Sequence, residues 1–284
     1  MLTKAKTNER YQTMAKNYRQ RVENYFETTA SFWKDVYGQN GVHGALYRQR
    51  RDLIDEYVKS LHLPAESHFL EVGCGAGFTS VNLARNGYRV TAVDVVEAMV
   101  DSVQKLAAEA NVANRITARV GDVHRLDFPD NTFDVVIAIG VLEWVPALHQ
   151  PLAELTRVLR PGGYLIVNVD NAWAIHRVLD PLKFPVLTPA KRIIRNMLEK
   201  IGAIKPIACS NRCSIRKLNA AIAAAGLQKI QGATCAFGPF TFLGRTVLPD
   251  RLGVSVHHFL QRLADKNIPV VRIAGEVYLV LAQK

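Results

Sequence analysis

Three glycines, Gly73, Gly75 and Gly77, follow the apolar run Phe69 to Val72 at G-x-G-x-G spacing, and an acid, Asp94, stands 21 residues beyond the first. Glycines in such a turn let backbone approach a ligand more closely than side chains would permit. A carboxylate one strand further along suits ribose hydroxyls, which donate hydrogen bonds that it can accept. The combination predicts an adenosine-bearing ligand. A dinucleotide fingerprint would need a further glycine beneath the pyrophosphate, but Phe78 stands in that place, so the phosphate cradle is poorly matched.

The elements that must position these residues alternate between strand and helix, the pattern of a parallel sheet covered on both faces. Strands are predicted at Phe69 to Val72, Arg89 to Val93, Arg115 to Val120, Phe133 to Ile139 and Tyr164 to Val169. Between them, Val96, Met99, Val100, Val103, Leu106 and Ala107 recur at helical spacing and form one apolar stripe. Arg160-Pro161-Gly162-Gly163 is expected to close the helix Leu152 to Leu159 and turn the chain into the next strand. Upstream, helices are predicted at Tyr11 to Phe26 and Ala45 to Leu61. Downstream, a helix at Ser214 to Ala225, a strand near Leu227 to Ala236, a helix at about Pro249 to Lys266 and a final strand at Glu276 to Ala282 complete the pattern.

Five pieces in order, E-V-G-C-G-A-G, V-D-V, G-D-V, F-D-V-V-I-A-I-G-V-L-E-W-V and L-R-P-G-G-Y-L, span roughly Leu70 to Val169. With them the chain resembles the class I S-adenosylmethionine-dependent methyltransferases of the small-molecule type seen in quinone biosynthesis. The resemblance implies a Rossmann-like α/β fold: a mostly parallel seven-stranded sheet with helices on both faces, N-terminal helices and two acceptor-side insertions. It implies S-adenosyl-L-methionine as cofactor. Glu71 and the loop of Gly73, Cys74, Gly75 and Gly77 would line its methionine end, and Asp94 its ribose. Asp122 and Val123 would meet the adenine amino group, Val95 and Met99 the ring, and Ile139 and Gly140, with Leu142, the wall beside the sulfonium. The segment V-E-N-Y-F-E-T-T-A-S-F-W-K-D-V-Y also resembles the lead-in of magnesium-protoporphyrin methyltransferases, with Tyr25, Phe26, Phe32, Trp33 and Tyr37 as a lid.

Methyl transfer from a sulfonium asks chiefly for alignment of the nucleophile and exclusion of water. Candidates for proton removal are Glu143, His149 and Tyr25, with His176 beside them. Neither an Asn-Pro-Pro-Tyr nor a Pro-Cys follows the fourth strand, and by the same resemblance nucleic acid is disfavoured as acceptor. The expected activity is methyl transfer to a small or lipid-like acceptor. The alternatives are an inactive binding or assembly factor of the same fold, against which the intact Gly73, Gly75, Gly77, Asp94 and Asp122 weigh, and a nicotinamide oxidoreductase, against which Phe78 weighs.

The chain divides into a helical lead-in (1–66), a cofactor-binding core (67–170), a basic insertion (171–213) and a C-terminal completion of the sheet (214–284) with a helical insertion at about 238–275. Its net charge of +11 is unevenly placed: residues 1–170 carry 19 Lys+Arg against 20 Asp+Glu, residues 171–284 carry 17 against 5. Such asymmetry suggests an anionic partner for the C-terminal part. Residues 190–201 set Ile193, Ile194, Met197, Leu198 and Ile201 against Lys191, Arg192, Arg195 and Lys200, and residues 249–266 set Leu252, Val256, Phe259, Leu260 and Leu263 against Arg251, Arg262 and Lys266. Either helix suits an anionic membrane interface or an ordinary surface with its apolar side on the core. The charged N-terminus lacks the apolar stretch of a signal peptide, no run of about 18 apolar residues marks a membrane span, and the expectation is a cytoplasmic protein with membrane association. Cys74, Cys209, Cys213 and Cys235 are too few and too irregular for a disulfide framework or four-thiolate zinc site, so no metal is expected.

Overall fold

The computed structural model describes residues 20–29, 32–33, 36–204 and 211–284. Seven strands form the main sheet: β1 (His68–Val72), β2 (Arg89–Asp94), β3 (Ile116–Val120), β4 (Phe133–Ala138), β5 (Leu159–Asp170), β6 (Gln228–Cys235) and, at the chain end, β9 (Val277–Gln283). Their order is β3-β2-β1-β4-β5-β9-β6. Six run parallel, and β9 is antiparallel to both β5 and β6. Strand order reverses between β1 and β4, and the crevice beyond their carboxyl ends is where open sheets of this kind bind ligands.

Alternate residues of each strand face opposite layers. Leu70, Val72, Val136, Leu165, Val167 and Val280 belong to one buried cluster and Phe69, Val135, Ile137, Ile166, Leu279 and Leu281 to the other. Burial on both faces explains why the central strands are apolar throughout rather than alternating. Helix α1 (Val42–Ser60), through Leu46, Leu53, Ile54, Tyr57 and Val58, and α2 (Phe78–Arg85), through Val81, Leu83 and Ala84, cover the second face. Helix α3 (Glu97–Glu109) buries Met99, Val100, Val103 and Ala107 of its predicted stripe. Helix α4 (His149–Val158) packs Leu152, Leu155 and Val158 on the first face.

The remaining helices are α5 (Ile175–Val178), α6 (Thr188–Lys200), α7 (Ile215–Ala224) and α8 (Asp250–Asp265). Helix α7 starts at Ser214, whose hydroxyl accepts from the Lys217 amide, and packs Leu218 and Ile222 on the first face. A two-stranded hairpin, β7 (Thr241–Phe242) with β8 (Arg245–Thr246), lies in the second insertion.

Several expectations are corrected. Arg160 to Gly163 does not separate helix from strand: β5 already begins at Leu159, and the Gly162 amide donates to the Lys284 carbonyl at 2.8 Å. The glycines therefore bend a strand that has started. Helix α8 leaves Val256, Leu260 and Leu263 half-buried, with Leu260 packed on the cluster of Phe237, Ala264 and Ala274, and its buried positions are Gly253, His257, Gln261 and Ala264. A Cβ on Gly253 would stand 3.7 Å from the Val42 side chain of α1, an ordinary contact, so this face of α8 packs on α1 without a need for glycine there. Helix α6 buries no residue, and Ile193, Ile194, Met197 and Ile201 are 57%, 58%, 61% and 75% exposed. Its apolar side is not on the core. Of the predicted helix Tyr11 to Phe26, residues 20–28 are helical; residues 11–19, and with them Tyr11, Met14 and Tyr18, lie outside the described residues. So does Cys209, and so does the side chain of Tyr37. Among the described residues no helix is long and apolar enough to cross a membrane and no group of three His, Cys, Asp or Glu could hold a metal ion.

Candidate active site

The loop after β1 is held by its neighbour strand: the amides of Gly73 and Cys74 both donate to the Val93 carbonyl, at 2.7 and 3.1 Å. Gly73, Gly75 and Gly77 all adopt positive φ, at +72°, +50° and +89°. They are glycine for different reasons. A Cβ on Gly73 would meet Val141 Cγ2 at 2.4 Å and one on Gly77 would meet Val103 Cγ2 at 2.9 Å, whereas one on Gly75 would meet nothing within 4 Å. The first and third permit packing of loop against protein; the middle one keeps space open.

Asp94, the last residue of β2, accepts from the Gly75 amide through Oδ2 (2.9 Å) and from the Val96 amide through Oδ1 (3.0 Å). Burial raises its pKa, and those amides pull it back. The Gly121 amide donates to the Asp94 carbonyl at 2.9 Å, which brings the loop after β3 alongside. In that loop Asp122 Oδ1 accepts from the His124 amide at 2.9 Å and lies 2.8 Å from His124 Nδ1. Glu71, near the end of β1, is buried and accepts from the Ser80 hydroxyl. Burial pushes its pKa up to about 7, against the hydroxyls of Ser80 and Thr79.

Glu71, Gly73, Cys74, Gly75, Gly77, Asp94, Gly121, Asp122 and His124 line one cavity of about 2030 Å³. Of the positions expected to touch a cofactor, Glu71, Gly73, Cys74, Gly75, Gly77, Asp94, Val95, Met99, Asp122, Val123, Ile139 and Gly140 are in its wall, whereas Leu142 is buried in the core of the first face. An adenosine-bearing group fits on two grounds. The space beside Gly75 would be lost to any Cβ, and both carboxylates, groups that accept hydrogen bonds, line the same cavity.

The candidates for proton transfer are dispersed. Glu143, in the turn after β4, is buried in the cavity wall, and its Oε2 has no hydrogen-bond partner among the described residues. Tyr25 lies outside the wall and stacks on Trp144 with ring centroids 5.2 Å apart at 28°; Phe26 meets the same indole edge-on at 5.1 Å. Trp144, Phe26 and Trp33 reach the cavity, so the N-terminal aromatics cover it through Trp144. His149 is exposed on the first turn of α4 and is not brought to the cavity. Solvent rather than the cavity surrounds it because α4 turns its apolar face, Leu152 and Leu155, to the sheet.

A second cluster on the acceptor side went unread in the sequence apart from His176. His176 Nε2 lies 2.8 Å from Glu276 Oε2, Arg177 binds the same carboxylate through Nε at 3.1 Å, and His176 Nδ1 is buried without a partner among the described residues. Burial alone would raise Glu276; the imidazole and guanidinium outweigh it and hold its pKa below the usual range. Asp170, Arg50 and Arg212 stand in the same wall. Burial and the neighbouring Glu276 carboxylate raise Asp170, and burial and Asp170 push Glu143 up to about 8, so the charged form of each carboxyl is disfavoured. Asp170 was legible, since it ends a strand at the ligand-binding edge; Arg50 was not, because it arrives from α1.

Residues 70–167 match the family described as a methyltransferase domain. The chain is 28% identical to a sterol 4-C-methyltransferase of Caenorhabditis elegans over 51% of its own length and 46% of the relative's. It is 28% identical to a ubiquinone biosynthesis O-methyltransferase of Rickettsia bellii over 51% and 60%. The chain thus spans about half the length of the curated relatives it matches. Magnesium protoporphyrin IX methyltransferase of Synechocystis, solved with bound SAH, superposes with a TM-score of 0.61 at 18% identity, covering 94% of this chain and 99% of that one. At that identity the likeness is one of fold.

Proposed function

We propose, from the match of residues 70–167 to the methyltransferase-domain family, that the protein transfers a methyl group from S-adenosylmethionine to a small or amphipathic acceptor at a membrane surface. The observation that carries the transfer is the meeting, in one cavity, of the open space at Gly75 with the carboxylates of Asp94 and Asp122 on adjoining strand tips. In this reading Asp94 receives the ribose hydroxyls, Asp122 and Val123 the adenine, with Val95 and Met99 against the ring. Glu71, whose carboxylate burial makes costly, gains a cationic neighbour in the methionine ammonium. S-adenosylmethionine supplies an already electrophilic methyl group on its sulfonium, so the chain's task is to align the acceptor and exclude water.

Exclusion of water falls to the aromatic cover over Trp144. Alignment falls to the wall at Ile139 and Gly140, which is fixed because the Gly140 amide donates to the buried Asn168 side chain at 2.7 Å. A cavity of about 2030 Å³ exceeds the roughly 300–1,000 Å³ of common ligand sites, which leaves room for an acceptor of lipid, quinone or porphyrin size beside the nucleoside.

The membrane clause rests on α6, whose Ile193, Ile194, Met197 and Ile201 are more than half exposed beside Lys191, Arg192 and Lys200. That is the composition of a helix lying in an anionic interface. Titration calorimetry with S-adenosylmethionine tests the transfer reading, which absence of binding would end. Flotation with neutral and anionic liposomes tests the membrane reading: co-flotation with the anionic vesicles is expected, and failure with both would remove that clause alone.

A further inference from the structure

The sequence left open whether oxygen, nitrogen or carbon receives the methyl group. The wall beside Gly140 bears on that choice. A Cβ built on Gly140 would lie 3.8 Å from Glu143 Oε1 and 3.9 Å from Arg50 Nη1, so one carboxyl and one guanidinium flank the position where an acceptor would meet the methyl group. Beyond them, the acceptor half of the cavity holds Arg177, Lys183 and Arg212 with Asp170 and Glu276. Four cations thus face three acids, an excess of positive charge whether or not Glu143 is ionised. The apolar parts of the same half, Phe26, Trp144, Trp173 and Leu182, provide a surface for a hydrocarbon body.

We propose that the acceptor presents a carboxylate to the methyl group, seated by the Arg50 guanidinium and the Glu143 carboxyl, and that the product is a methyl ester. The inference rests on the methyltransferase reading and deepens it. A guanidinium offers a planar fork of donors that matches a carboxylate. Glu143, buried and with Oε2 unpartnered among the described residues, adds a hydrogen-bond donor when protonated, the form that burial and Asp170 favour. A protonated carboxyl cannot take a proton from a hydroxyl, and a carboxylate acceptor asks for none to be taken. Its oxygen attacks the methyl carbon; the O–CH3 bond forms as the S–CH3 bond breaks, with the electron pair retained by sulfur. One negative and one positive charge cancel, no proton is released, and the products are the ester and S-adenosylhomocysteine. Lys183 fits the same picture, since burial and the Arg177 guanidinium draw its pKa below the lysine range and an incoming anion would relieve it.

The test is calorimetry on the full chain saturated with S-adenosylhomocysteine, with dodecanoate, dodecanol and dodecyl phosphate as probes below their micellar concentrations. Dodecanoate is expected to bind about tenfold or more tightly than dodecanol, the step typical of hydrogen bonds to a charged group. Arg50→Gln should remove that preference while S-adenosylhomocysteine affinity stays within about threefold, and Arg50→Lys should restore part of it. Equal binding of dodecanol, tighter binding of dodecyl phosphate, no binding of any probe, or an unchanged preference in Arg50→Gln would overturn the proposal. Failure of the wild type to bind S-adenosylhomocysteine would instead remove the cofactor reading beneath it. Binding of the nucleoside without the carboxylate preference would remove the ester inference alone.

Discussion

Asp94 Oδ2 accepts a hydrogen bond from the Gly75 amide at 2.9 Å, which ties the tip of β2 to the middle of the glycine loop after β1. One carboxylate thereby shapes the loop and still has lone pairs to offer a ligand. Asp94→Ala leaves the Gly75 and Val96 amides without their acceptor, at a cost of roughly 1–3 kcal/mol in stability. Affinity for S-adenosylhomocysteine should fall about tenfold to a hundredfold, the loss of one or two charge-assisted hydrogen bonds. Urea unfolding and calorimetry on the same samples measure both.

Gly73 and Gly75 separate packing from binding. Gly73→Ala sets a Cβ 2.4 Å from Val141 Cγ2 at φ +72°, so strain and overpacking together should cost roughly 2–4 kcal/mol. Gly75→Ala meets no protein atom within 4 Å and should lose only about 1 kcal/mol through its positive φ. Its methyl group enters the cavity instead, and nucleoside affinity should drop by about tenfold or more. If both variants lost stability equally, the open space at Gly75 would be misassigned.

His257 is buried on α8, where Nδ1 accepts from the Phe237 amide at 3.2 Å. Burial, with His258 adjacent, lowers its pKa to about 4. The unfolded chain takes up the proton first as pH falls from about 6.5, so stability declines between that pH and about 4 and is fully present above it. At pH 5 the decline from this group is roughly 2 kcal/mol. In His257→Asn, whose Oδ1 can accept in place of Nδ1, the difference in urea midpoint between pH 7 and pH 5 should shrink accordingly.

Glu143 titrates in the opposite sense. Its folded pKa lies above its unfolded value of 4.5 because burial and Asp170 disfavour the charge, so the fold is penalised progressively as pH rises from 4.5 through about 8. Glu143→Gln, which resembles the protonated carboxyl, should be more stable than the wild type at pH 9 and gain less at pH 5. Paired urea unfolding at the two pH values checks this, and an advantage that did not grow with pH would contradict it.

Ile194 and Met197 are 58% and 61% exposed on α6, so replacing both by Asp removes no core contact. Each apolar side chain buried in an interface contributes roughly 1.5–3 kcal/mol. The double variant should keep the wild-type unfolding midpoint and lose flotation with anionic liposomes. Flotation unchanged from wild type would move any membrane contact elsewhere.

The sequence by itself determined what depends on neighbours along the chain. Apolar runs marked β1, β2 and β4 within a residue of their ends, the stripe of α3 followed from helical spacing, and the glycines with Asp94 lay at strand tips that parallel topology brings together. Only the tertiary structure decided what depends on contacts across the fold. Arg50 reaches Gly140 because α1 crosses the sheet, a meeting of residues 90 positions apart that no spacing rule encodes. Helix α8 buries Gly253, His257 and Gln261, with Gly253 against Val42 of α1, a meeting of distant segments that helical spacing does not encode. Helix α6 shows the limit most clearly: its amphipathic pattern was plain, but periodicity says only that a face is apolar, and whether protein covers it is settled by the position of everything else.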